Sequence, residues 1–263
     1  AISTVNLKSS KLTWNTNLNF SINRNKVLDL VGQQLFVGAI AGRGEASLVQ
    51  EGMPLGTLYG YIYGGVDPSN GDAFYINKDG ESVFDPSPDD RVVIGDANPD
   101  FFYGVTNTLQ YGNWTLVVFL QGSQGNDILN ATRIDIEGMT DPKNQSAAVL
   151  DRWQEEGDQT DIPRASWGNT DNSRISSRFI EDGSYLRLKT LTLGYGLSNA
   201  LLKKLKISEA KLYVTGENLL TRTNYTGFDP EVNAFGASNT ARGIDYGTYP
   251  QTRNIIAGIR LTL

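Results

Sequence analysis

The chain has 263 residues, and 23 lysines and arginines stand against 29 aspartates and glutamates, a net charge of −6. That balance leaves no basic footprint for a nucleic-acid partner. Cysteine and histidine are both absent, which removes disulfides, thiolate metal sites, cysteine nucleophiles, and the commonest general base and metal ligand.

No window of 18 apolar residues exists, so the sequence offers no transmembrane helix. The opening Ala1-Ile-Ser-Thr-Val has neither the charged region nor the apolar run of a signal peptide, so the chain is read as mature or as beginning inside a longer one. Glycine is abundant at 28 residues, with 12 tyrosines and 4 tryptophans. That mixture suits turn-rich β structure with aromatic girdles, and equally a soluble lectin.

Residues 12–23 alternate cleanly. Leu12, Trp14, Leu18, Phe20 and Ile22 fall on one face, while Thr13, Asn15, Asn17, Asn19, Ser21 and Asn23 fall on the other. Asparagines are costly to bury dry and easy to hydrate, so a wet lumen on that face accounts for them. Residues 24–100 read as irregular, punctuated by glycine, with one or two strands expected between 46 and 66. The run 85–90 is a turn cluster. Residues 101–124 read as a hairpin about Gly112-Asn113. Its apolar sets are Phe101, Tyr103, Val105, Leu109 and Tyr111 before the turn, and Trp114, Leu116, Val118 and Leu120 after it. Tyr111 and Trp114 sit where an interfacial aromatic belt would lie. Residues 125–182 form a second excursion, with a short helix expected over 146–156.

The stretch 184–198 is long enough for a tilted membrane strand, which needs about 9–11 residues. From Leu191 on, Leu191, Leu193, Tyr195 and Leu197 alternate with small or polar residues. A half-buried strand of a soluble sandwich would show the same pattern. A helical turn follows at 201–205, a strand at 211–220, a third long loop at 221–252, and a closing strand at 253–263 with Ile255, Ala257, Ile259, Leu261 and Leu263 on one face. Short connections then fall on one rim and long ones on the other, as in outer-membrane barrels. Six strands are too few for such large loops, so the chain is expected to be the C-terminal portion of a larger antiparallel transmembrane β-barrel. The fold class is all-β, with long extracellular loops and a short helix in one of them.

Several segments resemble the C-terminal portion of the SusC/RagA family of TonB-dependent outer-membrane transporters. They include Arg178-Phe-Ile-Glu-Asp-Gly-Ser-Tyr-Leu-Arg-Leu-Lys-Thr-Leu-Thr-Leu-Gly-Tyr195, Tyr213-Val-Thr-Gly-Glu-Asn-Leu-Leu-Thr221, Gly227-Phe-Asp-Pro-Glu-Val-Asn233 and Gly243-Ile-Asp-Tyr-Gly-Thr-Tyr-Pro-Gln-Thr-Arg253. Asp151-Arg-Trp153, Thr160-Asp-Ile-Pro-Arg164, Glu51-Gly-Met-Pro-Leu-Gly56 and Arg91-Val-Val-Ile-Gly95 are similar as well. The resemblance implies a plugged barrel of about 22 strands. It also implies a SusD-like lipoprotein cap and uptake of glycans or peptides energised by the TonB complex through an N-terminal part absent from this chain. The remaining barrel and plug of the same protein, and the lipid bilayer, would be further partners.

Three site expectations follow. Tyr59, Tyr61, Tyr63, Trp167, Tyr225, Phe228 and Tyr249 are candidates to stack on sugar rings from loops over the lumen, since loops on a rigid scaffold commonly carry recognition; loop packing or contact with the lipoprotein is the competing role. The resemblance also points to a calcium-binding turn, read here at Tyr75-Ile-Asn-Lys-Asp-Gly80 with Asn77, Asp79, Asp85 and Asp90 as oxygen ligands; a solvated Asx turn is the alternative. The pairs Glu155/Glu156 and Glu181/Asp182 lack the opposed geometry of glycoside hydrolysis, so the chain is expected not to be an enzyme. A non-enzymatic carbohydrate-binding surface module is the other reading.

Overall fold

A computed structural model describes residues 1–262; Leu263, expected on the apolar face of the last strand, lies outside the described residues. In chain order, β1 (Ile2–Lys8) and β2 (Leu12–Ser21) precede seven short strands: β3 (Leu35–Ile40), β4 (Gly44–Val49), β5 (Thr57–Gly60), β6 (Ile62–Val66), β7 (Ala73–Ile76), β8 (Ser82–Val83) and β9 (Val92–Asp96). Then come β10 (Phe101–Tyr111), β11 (Trp114–Gln124), β12 (Asp127–Asn130), helix α1 (Ala131–Glu137), β13 (Ile180–Asp182), β14 (Tyr185–Gly196), helix α2 (Asn199–Leu205), β15 (Glu209–Thr223), β16 (Ile244–Asp245) and β17 (Asn254–Thr262).

The wall is a seven-stranded antiparallel sheet in the order β1-β2-β10-β11-β14-β15-β17. One register line crosses all of it: Leu7, Trp14, Leu109, Leu116, Leu193, Val214 and Ala257 are successive direct partners. The lines on either side carry Thr13, Gln110, Thr115 and Gly194, and Asn15, Thr108, Val117, Thr192 and Thr215. Successive residues face opposite ways, so the sheet has an apolar face and a largely polar one. The apolar rows do not meet one another across a second layer; Leu193, Val214, Ile255, Ile259 and Leu261 are exposed.

The apolar band has a definite height. Tyr111, Trp114 and Tyr195 are direct partners at one end, and the Trp114 and Tyr195 rings lie 4.8 Å apart. Phe101 begins the same strand, stacked on Phe20 at 5.3 Å and close to Tyr103. The 11 residues from Phe101 to Tyr111 make about 33 Å of strand. A tilt of about 40° reduces this to about 25 Å, the height of an outer-membrane apolar band between its aromatic girdles.

Polar groups on the apolar face satisfy one another. Asn6 donates to Thr16 (2.6 Å), and Thr16 and the Trp14 indole both donate to Asn107 (2.7 and 2.9 Å). Such closure is what lets polar side chains sit where water cannot reach them. The strand β1 was not anticipated, because its register slips between Val5 and Leu7 and breaks the alternation.

The anchor strand also contains a slip. Leu120 pairs with Leu188 while Phe119 pairs with Thr190, leaving Lys189 as the extra residue, and β15 answers with Asn218 at φ 52°. A bulge inverts parity along a strand. It therefore puts Leu186 and Leu188 on the apolar side together with Leu191 and Leu193, while Arg187 faces inward.

The excursions correct the expectation of irregular loops. They fold into three small sheets, β6-β7-β8 on its own cluster of Tyr61, Ala73 and Tyr75, and β3-β4-β5-β9 and β13-β12-β16 around one core. Ile40, Leu58, Leu129, Ile134, Phe179 and Ile244 are buried together there, drawn from all three long connections. The expected helix over 146–156 is instead a 3-10 turn at Ala147–Asp151, capped by Ser146 and ended by extended Arg152. Trp153 then turns away to cover the hairpin turn, donating from its indole to the Pro68 carbonyl (3.0 Å). Gly71, at φ 77°, lies so close under that indole that a Cβ would overlap it. The α-helix is α1, held by Ile134 in the core and an Arg133–Glu137 pair at 2.8 Å.

Asp72 fastens this hairpin, accepting from Arg164 Nε (2.8 Å) and Asn172 Nδ2 (3.0 Å). Burial works to raise its carboxyl, but the Arg164 and Asn172 hydrogen bonds and the Arg164 charge outweigh it and hold the group below the usual carboxylate range. The stability it contributes is complete above about pH 4 and is lost as pH falls through the lowered folded value. An acid titration followed by Trp153 emission should show the 62–76 hairpin loosening below pH 4. Asp72→Asn should remove that acid phase; an unchanged phase would show that another carboxylate governs it.

Candidate ligand-binding site

The long connections all leave the same rim, between β2 and β10, β11 and β14, and β15 and β17, while the opposite rim has the Ser9–Lys11 and Gly112–Asn113 turns and α2. The folded loops therefore cap one end of the wall, and cavities open there.

The first, about 720 Å³, lies between α1 and the connection that precedes β17. Its floor is polar, and its buried carboxylates are paired. Buried Glu137 receives Arg133 and Arg178 (2.8 and 3.1 Å), and buried Asn130 donates to Glu181 (3.0 Å). Buried Asp245 accepts from the Tyr225 hydroxyl (2.6 Å). Burial, with the Asp245 hydrogen bond and charge added, raises the Tyr225 phenol far above its ordinary value, so Tyr225 stays a donor. Over the floor stand Phe228 and Tyr249, 86% and 82% exposed. Paired charges below and free aromatic faces above suit a neutral, hydrogen-bonding ligand with an apolar face.

The second cavity, about 580 Å³, lies on the polar face of the wall, lined by Asn19, Gln121, Ser123, Tyr185, Glu231 and Arg242 among others. Its roof is the segment around Pro230, tied down by Arg187. Arg187 Nη2 meets Asp229 at 2.5 Å and Nη1 meets Glu231 at 3.0 Å, while Lys189 adds a 3.1 Å contact to Glu231. The two motifs around 187 and 229 that single out this chain are thus one structural unit.

The expected aromatic patch divides. Phe228 and Tyr249 share the first cavity, and Trp167 is 78% exposed on its own. Tyr61 and Tyr225 are corrections: both are buried, Tyr61 packed on Tyr75 and Tyr63 and Tyr225 bound to Asp245, so neither offers a ring to a sugar. The Tyr63 hydroxyl donates to the Asp161 carbonyl (2.9 Å), and the Tyr59 ring carries the Arg91 guanidinium at 4.6 Å.

The residues of the expected calcium turn bond to the protein itself. Asn77 Oδ1 accepts from the backbone of Asp79 and Glu81 (3.0 and 2.8 Å), as in an Asx turn. Asp85 pairs with Arg174 (2.6 Å). Asp90 accepts from Ser87 and from the Lys78 backbone, and these bonds lower its carboxyl. Among the described residues, Asp79, Asp85 and Asp90 do not converge into a metal-binding group. Glu181 is committed to Arg133, which it shares with Glu137, and to Asn130.

A sheet with one apolar face of membrane height, short turns on one rim and folded loops on the other defines part of the wall of a transmembrane β-barrel. No family model matches the chain. It is 36% identical to a TonB-dependent receptor, P3, of Formosa agariphila, covering 99% of this chain and 28% of that receptor. It is 26% identical to the TonB-dependent receptor SusC of Bacteroides thetaiotaomicron, covering 95% and 24%. A solved structure of the RagAB peptide transporter superposes with a TM-score of 0.80 at 24% identity, over 98% of this chain and 28% of that one. Over the segment it covers, the chain is similar to TonB-dependent receptors, SusC among them, and shares the fold of the RagAB transporter. It spans less than a third of the length of these relatives.

Proposed function

We propose that the chain is the C-terminal part of the barrel of an outer-membrane, TonB-dependent importer, and that it helps pass glycans or peptides through the lumen as the channel partner of a SusD-like lipoprotein. The single observation that carries this reading is the seven-strand wall, apolar outside and polar inside, with loops folded into a cap on one rim only. The names of its relatives, TonB-dependent receptor and SusC, support energised import, and the RagAB structure is that of a peptide transporter. A plug and further strands supplied by the rest of the protein would close the cylinder. The role is non-enzymatic: the acidic side chains at the cavity floor hold the fold.

In this reading the Phe228 and Tyr249 faces receive the ligand. Aromatic contacts of this kind contribute about 0.5–1.5 kcal/mol each. Phe228→Ala with Tyr249→Ala in the whole transporter should therefore weaken ligand binding roughly tenfold. Uptake by cells carrying the unaltered protein should cease when TonB is deleted. Uptake that persists without TonB would overturn the import reading.

A further inference from the structure

The niche of about 160 Å³ between the β3–β4 turn, the start of β6 and the segment before Phe179 is lined by three arginines, Arg43, Arg91 and Arg174, together with Tyr61 and Asp171. Three guanidiniums around one small space repel each other unless something negative stands between them. Among the described residues, the carboxylates that pair with them both go to Arg174. Arg174 pairs with Asp171 and Asp85 through Nη2 alone (2.8 and 2.6 Å). Arg91 and Arg43 make no ion pair with a carboxylate among the described residues. Arg91 Nη2 donates to the backbone carbonyls of Glu45 and Tyr59, and Arg43 Nη1 donates to the Thr170 carbonyl (3.3 Å).

Each of the three thus commits one terminal nitrogen to the protein and leaves the other without a protein acceptor. The Nε atoms of Arg91 and Arg174 are buried and have no acceptor either. The cations are nonetheless held in place: Arg91 lies over the Tyr59 ring at 4.6 Å, and Arg91 and Arg174 both lie near the Tyr61 ring, at 5.9 and 5.7 Å. Pre-oriented guanidiniums with unspent donors are the usual means of recognising planar or tetrahedral oxyanions.

We propose that this niche binds one oxyanion group, a carboxylate or a sulfate, between Arg43, Arg91 and Arg174. The tyrosines expected to stack on sugars then have a different task, holding the arginines apart and facing inward. The niche lies on the capped rim, so a ligand entering there would present its charge to it. That the anion belongs to imported cargo rests on the import reading; the site itself does not.

Isothermal titration of the whole detergent-solubilised transporter with sodium sulfate and with sodium acetate, at constant ionic strength and against a chloride control, tests the site without any transport step. The bare ion should bind with a Kd of about 1 mM. Arg91→Gln with Arg174→Gln should weaken it at least tenfold. Arg43→Gln, at a side chain that makes one long contact to a carbonyl among the described residues, should weaken it without disturbing the fold. Arg222→Gln, on the exposed end of β15, should leave it unchanged. Sulfate binding alone would assign a sulfate ester, acetate binding alone a carboxylate, and both an unselective oxyanion site. No binding of either ion, or binding undiminished by Arg43→Gln and by the double variant, would overturn the proposal.

Discussion

Arg187→Met is expected to release the segment 227–233 from the barrel wall while leaving the wall strands intact. Arg187 is 1% exposed and Asp229 is almost as deeply buried. Removing one partner of a buried ion pair leaves the other charge uncompensated, a loss of about 3–5 kcal/mol. Asp229 would keep only its bonds from the backbone of Glu231 and Gln251 (2.8 and 3.0 Å). The wall strands are joined to their neighbours along their full length, so the weakened element is the loop. At about 1.4 kcal/mol per tenfold, hydrogen exchange in 224–253 should rise by two to three orders of magnitude, while β11 and β14 stay protected. Asp229→Asn in the same background should recover much of the loss, because the stranded charge is gone. Arg187→Lys should recover little: a point charge cannot reach Asp229 and Glu231 together as the forked guanidinium does. Unchanged exchange in 224–253 would show that the loop is held by something else.

The wall was legible because alternation is a local signal: Leu12 to Ser21, the Gly112 hairpin and the run from Leu191 can each be read from one window. The β1 strand escaped because its slip at Asn6 breaks the only pattern available. The cap was illegible for a different reason. Leu58, Leu129 and Ile244 meet in its core from connections far apart in sequence, and strands of four to six residues carry too few positions to show a period. The site divides along the same line. Phe228 and Tyr249 are aromatic residues on a loop, and the fold leaves them exposed. Tyr61 and Tyr225 look the same in sequence, yet Arg91 and Asp245 claim them, and nothing beside either tyrosine in sequence announces that partner. Arg43 and Arg174 were missed altogether, since isolated arginines in irregular segments look like solvated charges until the chain brings them together. The Arg187 pair spans 42 residues; both halves stood out as motifs, but their contact did not.

Leu191→Arg and Thr192→Arg, neighbours in sequence, should have opposite fates. Leu191 lies on the register line of Thr16, Asn107, Val118, Gly216 and Ile255, roughly midway between the Tyr111 and Phe101 girdles. An arginine at the bilayer midplane costs about 2–4 kcal/mol in an outer-membrane barrel, and from there its side chain reaches neither interface with ease. Thr192 faces the other way, donating to or accepting from Thr215 (2.8 Å) among the polar residues of the lumen face, where a guanidinium stays hydrated. Urea titration of the whole barrel in phosphatidylcholine vesicles should place the Leu191→Arg midpoint well below that of the parent, with Thr192→Arg close to it. The reverse ranking would mean that the leucine rows face water and the threonine rows face the apolar phase. The closed network of Asn6, Thr16 and Asn107 sharpens the test, because Asn107→Leu removes the acceptor for Thr16 and Trp14 yet adds apolar surface. If lipid covers this face, Asn107→Leu should be borne far better than Leu191→Arg, although both replace a side chain on the same register line.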